Sequence, residues 1–479
     1  MRWRASVAPD PPGVEPSSTA SRAAFAVLGL AAIAAAGWSL LALGAVPGAR
    51  ALTAVGGATQ PIIDATQLPP LLTVADDRLG ELVYDIACTL PGTETGSECD
   101  IAGTVFARAG QAGPFQPIAL AADPQSGGGR YLARLPLHIT QAKTGFSYYA
   151  VIRDTRSAAT VTLPSGGAAA PQRSLLLAKP ITADLGTHRF GASRGASARV
   201  AVASWGDGPG EVGIEEGPQL APIGASSFAV DPSGAVTVLD EAHKRLLRFA
   251  GGAPTTPLPL PVEVRGTIAD LAVRADGGAY VLESVGDLGT PPFVESFDAA
   301  GRRLGAWHTA EPTVSTLRLG AGGPQALQYP SGQWIPVADA SGATPAAQAA
   351  EGRPGRAISG GRELVAQREG SEARVALVGP AGVETSWRVH SATPLAEIQL
   401  AEPLGARVLV VLRTYMDTKS EYVVLLLGSH GVERHFSIEP SEWAETSPLS
   451  RFRLTGTALY HLGSTPAGMF VDRYNLEVQ

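Results

Sequence analysis

Between residues 81 and 164 apolar and polar positions alternate in short runs broken by Gly, Pro and Asp. Stretches 81–89, 103–108, 117–121, 130–136, 146–154 and 159–164 are the candidate strands, and 146–154 alternates in its second half as a half-buried strand should. So many short strands within about 90 residues predict a β-sandwich over 79–165. On either side, 48–78 and 166–196 lack periodicity and read as linkers, the second with a possible edge strand at Leu175 and Ile181.

From residue 197 the pattern repeats. Phe228-Ala-Val-Asp-Pro-Ser-Gly-Ala-Val-Thr-Val-Leu-Asp240 recurs as Leu271-Ala-Val-Arg-Ala-Asp-Gly-Gly-Ala-Tyr-Val-Leu-Glu283, with Gly234 matching Gly277 and Val238 matching Val281. A period of about 40–50 residues, each holding four short strands, predicts propeller blades. The stretch 217–249 resembles an NHL repeat: a first strand, an Asp-x-x-Gly turn, a Val-x-Asp second strand and a basic-Leu third strand, with His243-Lys-Arg-Leu246 near the family's His-Arg-Ile element. Ala242 stands where that family usually has Asn. The resemblance implies a six-bladed ring, used more often as a binding scaffold than as an enzyme. The 146–154 and 160–164 runs likewise resemble late strands of bacterial immunoglobulin-like and fibronectin-like modules.

Later blades follow by pattern, at 316–323, 373–387, 421–436 and 451–474, giving five to six blades over 197–479. Residues 338–360 read as a loop insertion. The last blade lacks a strand, while 198–205 is an apolar strand without a partner. Pairing the two closes the ring and removes its open edges.

The longest apolar run, 23–47, holds no charge and is long enough to cross a bilayer. Arg2, Arg4 and Arg22 precede it, so the expected topology is a cytoplasmic tail at 1–22, a transmembrane signal anchor at 23–47 and everything beyond outside the cell. Cleavage near Ala51, with secretion, is the alternative. Cys88 and Cys99 flank a turn-rich segment between two predicted strands, and a structural disulfide fits that spacing. The expected fold is therefore mainly all-β: anchor helix, small immunoglobulin-like sandwich, propeller.

Composition narrows the function. Hydrophobic residues at 45% and charged residues at 17% exclude a disordered chain. Net charge −7 argues against a nucleic-acid partner. No Walker loop, hydrolase elbow or metal-ligand spacing occurs among the motifs, so no cofactor, metal or catalytic residue is expected. Asp231, Asp240, Asp276 and Asp298 fall at turns, where Asp commonly bonds its own backbone. Ligand sites of propellers gather where the loops between second and third strands meet those between blades. Those loops carry His243, Asp287, Tyr415, Asp417, Lys419 and Trp443. The expectation is a membrane-anchored extracytoplasmic binding or scaffold protein for an envelope or extracellular protein or glycan. The alternative is a propeller enzyme of lyase or hydrolase type.

Overall fold

The computed structural model describes residues 61–476, apart from 68–72, 76–79, 90–98, 219–220, 261–267, 284–291, 310–313, 329–331, 342–353 and a few single positions. The expected anchor at 23–47 lies outside the described residues. Among those described, no helix is long and apolar enough to cross a membrane.

The N-terminal part is a nine-stranded sheet wrapped around one core. Its strands are β1 (Ile62–Gln67), β2 (Thr73–Ala75), β3 (Gly80–Thr89), β4 (Ile101–Ala109), β5 (Gln116–Ala122), β6 (Arg130–Leu135), β7 (Phe146–Asp154), β8 (Thr160–Leu163) and β9 (Gln172–Leu177). The order is β1-β3-β6-β5-β4-β7-β9-β2, with β8 also on β7. Alternation decides the inward face: Leu82, Tyr84 and Ile86 of β3 meet Val105 and Ala107 of β4 and Phe146, Tyr148, Ala150 and Ile152 of β7. A disulfide joins Cys88 at the end of β3 to Cys99 just before β4, as the sequence predicts. β1 and β2 lie in a stretch that reads as a linker, because Gly, Ala and Pro around them dilute their alternation, while β9 holds Leu175, where an edge strand is expected. β1 nonetheless pairs with β3 from Ile62↔Thr89 to Gln67↔Tyr84.

The C-terminal part is a six-bladed β-propeller. Blade 1 holds Ser227–Val230, Val236–Asp240 and Arg245–Ala250, with the short Ala253–Pro254 and Leu258–Pro259 outside. Blade 2 holds Ile268–Val273, Ala279–Glu283, Phe293–Phe297 and Arg303–His308. Blade 3 holds Val314–Gly320, Gly323–Gln328 and Gln333–Pro336. Blade 4 holds Arg356–Ile358, Arg362–Glu369, Glu372–Gly379 and Gly382–His390. Blade 5 holds Leu395–Leu404, Arg407–Met416, Lys419–Gly428 and Gly431–Ile438. Blade 6 holds Phe452–Thr455, Ala458–Thr465 and Gly468–Asn475.

The core lies between adjacent blades. Val238, Leu247 and Phe249 of blade 1 pack on Tyr460, Leu462 and Val471 of blade 6, and Val410, Leu412 and Leu425 of blade 5 pack on Val375, Trp387 and Val389 of blade 4. The Asp-x-x-Gly turns form as expected: Asp231 Oδ1 accepts from the Ser233 and Ala235 amides at 2.8 and 3.0 Å, and Gly234 has φ +87°. Asp298 repeats this with the Ala300 and Arg302 amides and Gly301 at φ +79°.

The ring closes through the predicted pairing. Ala198–Ser204 runs antiparallel to Gly468–Asn475 as the outer strand of blade 6, from Ala198↔Arg473 to Ser204↔Gly468. Arg199 grips Asp472 at 2.8 and 3.0 Å in the two-pronged geometry specific to guanidinium and carboxylate. Strands do form at Leu175 and Ile181, where an edge strand is expected, whereas one detail differs from the sequence reading. Arg356–Ile358, within the expected insertion, is the innermost strand of blade 4; three residues with an Arg at one end carry too little alternation to be recognised. The chain joining the two parts is not free. Ile181–Asp184 adds a parallel fifth strand to blade 4. Beyond it, Glu421 Oε1 accepts from the Gly191 amide at 2.6 Å while His188 Nε2 lies 2.8 Å from Oε2. Leu175 and Leu177 of β9 pack on Val365 and Val378 of blade 4.

Candidate functional site

Within each antiparallel blade, the loop between second and third strands emerges on the same side as the connection to the next blade. On blade 1 this loop carries His243, 22% exposed at its side chain. Its Nδ1 lies 2.8 Å from Asp240 Oδ2 and its Nε2 lies 3.0 Å from Asp207 Oδ1. Asp240 is not a turn aspartate like its three counterparts. It is fully buried and accepts from Arg245 Nε at 2.7 Å and the Gly213 amide at 3.1 Å. Burial of the His243 ring opposes protonation, but the Asp207 and Asp240 carboxylates outweigh it, and its pKa is raised.

Tyr415, Asp417 and Lys419 share one hairpin of blade 5. Its two strands have ten residues each, among the longest in the ring. Met416 pairs with Lys419 across the tip, and Asp417 takes a left-handed φ of +54° in the turn. Tyr415 and Met416 are 45% and 41% exposed, an unusual pair of large apolar side chains facing solvent together.

Trp443, in the connection from blade 5 to blade 6, packs on Trp205 with ring centroids 6.0 Å apart. Trp205 Nε1 donates to the Thr465 carbonyl at 2.9 Å. A Cβ at Gly224 would stand 2.7 Å from the Trp205 ring, so this approach needs glycine. Trp443 thus belongs to the seam where blades 6 and 1 meet. Among the described residues no hydrogen bond or ring contact joins His243, the blade 5 hairpin and Trp443 to one another. Asp287 lies outside the described residues.

Two charged clusters escape the sequence reading. The first lies on the propeller axis. Asp270, on the innermost strand of blade 2, is fully buried. It accepts from Ser227 Oγ of blade 1 at 2.6 Å, the Leu317 amide and Arg318 Nη1 of blade 3 at 2.8 and 3.2 Å, and Ser450 Oγ and Arg453 Nη2 at the entry to blade 6 at 2.9 and 2.7 Å. Thr316 Oγ1 donates to it as well. Glu402 of blade 5 then bridges Arg318 and Arg356 of blade 4. All six innermost strands or their entries are therefore tied by one ionic network. Burial pushes the Asp270 carboxyl up, but Arg453, Arg318 and the two hydroxyls pull it below its ordinary pKa. Burial and neighbouring Arg453 hold Arg318 down at about 10. A signal for this network exists in the repeat: Ser227 and Asp270 occupy equivalent positions, 43 residues apart.

The second cluster sits on the loop side between blades 5 and 6. Glu442 accepts from Arg413 Nη2 at 3.0 Å and from the Tyr422 hydroxyl, with Arg451 Nε at 3.5 Å. Beside it is Glu397, at an irregular part of the innermost strand where the register slips on both sides of Ile398. Burial, with a smaller push from Glu442, raises the Glu397 pKa against the pull of Arg413. Below lies His461, stacked on Phe452 with ring centroids 4.7 Å apart, and burial with Arg451 nearby holds its pKa down at about 3. The charges of both clusters are largely compensated internally. That suits fixing loops in place more than driving bond cleavage.

Among the described residues no group of three or more His, Cys, Asp or Glu side chains is placed to hold a metal ion. No family model matches the chain, and no curated protein matches it. Similar solved structures include a putative exported protein of Bacteroides fragilis (8% identity, 61% of this chain and 99% of that one, TM-score 0.35). Virginiamycin B lyase of Staphylococcus aureus also aligns (10% identity, 52% and 94%, TM-score 0.31), as does the PQQ-bound aldose sugar dehydrogenase of Streptomyces coelicolor (10% identity, 58% and 97%, TM-score 0.31). These likenesses concern the fold and say nothing about the chemistry of this chain.

Proposed function

We propose that the chain is a membrane-anchored extracytoplasmic binding protein that presents the loop side of its propeller to an envelope or extracellular protein. The observation that carries this reading is the blade 5 hairpin, whose exposed Tyr415 and Met416 stand beside the turn that carries Asp417 and Lys419. Tyr and Met are enriched at protein interfaces, and an apolar centre with a charged rim is the usual anatomy of one. The apolar run 23–47 supports the anchor. The Cys88–Cys99 disulfide supports an oxidising compartment. The pairings β1-β3-β6 and β5-β4-β7-β8 support an immunoglobulin-like or fibronectin-like reading of the sandwich, and the Asp-x-x-Gly turns support an NHL-like reading of the ring. The test is capture of partners from envelope extract by the full chain and by a Tyr415→Ser, Met416→Ser double variant. A partner retained equally by both overturns the assignment of the hairpin.

A second reading, a propeller enzyme of lyase or hydrolase type, has one observation in its favour. Buried Asp240 holds His243 Nδ1 and turns Nε2 outward, where the exposed Asp207 carboxylate lies 3.0 Å away and a substrate proton would have to take its place for the ring to act as a general base. Under this reading His243→Gln abolishes turnover of a bound substrate while leaving its binding unchanged.

A further inference from the structure

We propose that the outward face of the sheet formed by β4, β5, β7 and β8 is a binding surface for an acidic polysaccharide, one whose pyranose rings carry carboxylates. It is separate from the propeller loops, so it stands or falls independently of the function proposed above.

Strand register defines the face. With Val105, Ala107, Tyr148, Ala150 and Ile152 turned into the core, the opposite side presents Thr104, Phe106 and Arg108 of β4 and Tyr149, Val151 and Arg153 of β7. Phe106 lies directly across from Tyr149, and Thr104 from Val151. Next to Val151 on β8 is Thr162. Next to Ser147 on β9 is Arg173.

Aromatic rings form the centre. Phe106 and Tyr149 stack at 4.9 Å with planes 12° apart, and Phe115 meets Tyr149 edge-on at 4.9 Å. The Arg108 guanidinium lies 4.2 Å above Phe115. All four side chains belong to half-buried residues. The rings are only partly covered, and their open edges together with the Arg108 stem form an apolar strip on which the C–H faces of a sugar ring pack.

The charge points the same way. Five strands, β4, β5, β7, β8 and β9, contain one acid, Asp154, and it is 3% exposed and occupied by the Asp100 and Ser157 amides at 2.9 and 3.1 Å. The cations on the face are Arg108 and Arg153; Arg173 lies on β9, whose Leu175 and Leu177 on the same side pack on blade 4. Arg153 is exposed and has no ion-pair partner among the described residues. On the other half of the sheet the arginines are paired, Arg130 with Asp85 and Arg134 with Glu81. The chain as a whole carries −7, so a wholly cationic face with rings at its centre runs against its overall balance. Guanidinium groups match carboxylates in two-pronged geometry, and the Thr104 and Thr162 hydroxyls suit sugar hydroxyls. An acidic peptide satisfies the arginines but not the ring ladder, which favours the polysaccharide.

The test uses the full chain in detergent and three soluble probes: polygalacturonate, neutral dextran and poly-L-glutamate. Polygalacturonate is expected to bind, and to bind more weakly as salt rises. Tyr149→Ser is expected to weaken it by about tenfold or more, because a stacked ring contributes both area and geometry. Arg153→Gln, at an exposed position that leaves the core untouched, is expected to weaken it about two- to fivefold and to flatten the salt dependence. An unchanged melting temperature in Arg153→Gln, and a cooperative transition well above the assay temperature in Tyr149→Ser, which loses its contacts with Phe106 and Phe115, separate lost binding from lost fold. Equal binding of poly-L-glutamate with no effect of Tyr149→Ser overturns the proposal, because charge alone then explains it. Equal binding of dextran, or no binding of polygalacturonate, overturns it as well.

Discussion

Asp270→Asn is the most informative single change in the propeller. The side chain keeps its shape but loses the charge that faces Arg453 at 2.7 Å and Arg318 at 3.2 Å, both side chains 11% exposed. An amide NH2 is also brought against donors, where Asp270 now only accepts. Removing one partner of a buried ion pair typically costs about 3–5 kcal/mol, because the remaining charges stay buried and uncompensated. Against a total stability of about 5–15 kcal/mol this is a large share. For a domain of this size about 2 °C is lost per kcal/mol, so the propeller transition is expected to fall by roughly 6–10 °C. Scanning calorimetry on the wild type, Asp270→Asn, Arg453→Met and the double variant measures it. The double variant should recover part of the loss, with a coupling of about 1–3 kcal/mol. A loss under about 1 kcal/mol with additive effects would falsify the claim that this network ties the innermost strands together.

Three further outcomes follow from the same physics. Cys88→Ala is expected to lower stability by about 2–3 kcal/mol on the loop-closure estimate; thiol titration of the oxidised wild type should find no free thiol, and two titratable thiols would remove the basis for that figure. His461 is neutral in the fold with a pKa of about 3, while the unfolded ring titrates near 6.5, so its contribution is complete above about pH 6.5 and is lost as pH falls toward 3, by up to about 1.4 kcal/mol per unit. His461→Phe should flatten denaturation midpoints over that window, and an unchanged pH slope would contradict the assignment. A chain beginning at residue 190 should fold cooperatively, whereas one beginning at 215 lacks Ala198–Ser204, exposes the edge of Gly468–Asn475 and should melt far earlier or aggregate. Equal melting of the two would mean that blade 6 does not need its fourth strand.

What the sequence revealed depended on local repetition. Blades 1 and 2 were readable because Asp231 and Asp298 bond their own turns within four residues, and such chemistry leaves a fixed spacing. Ring closure was readable because an orphan strand and an incomplete blade call for each other. The ionic axis was not. Asp270 is one charge in an apolar strand, and Arg453 lies 183 residues away. Only the circular arrangement of blades brings them together. Glu442 and Arg413, 29 residues apart, converge for the same reason. Tyr415, Asp417, Lys419 and Trp443 were picked from loop position, and loop position says which side of the ring a residue occupies, not what it touches. Trp443 meets Trp205 because the seam of the ring passes there.

The central claim, that the blade 5 hairpin is a contact surface, is tested most directly by a photo-activatable cross-linking side chain placed at position 415 in living cells. The control is the same group at Leu304, which is 43% exposed on the outer strand of blade 2 and so matches Tyr415 at 45%. The account predicts a discrete cross-linked species from position 415 and none from 304. Identical products from both positions, or none from 415, would contradict it.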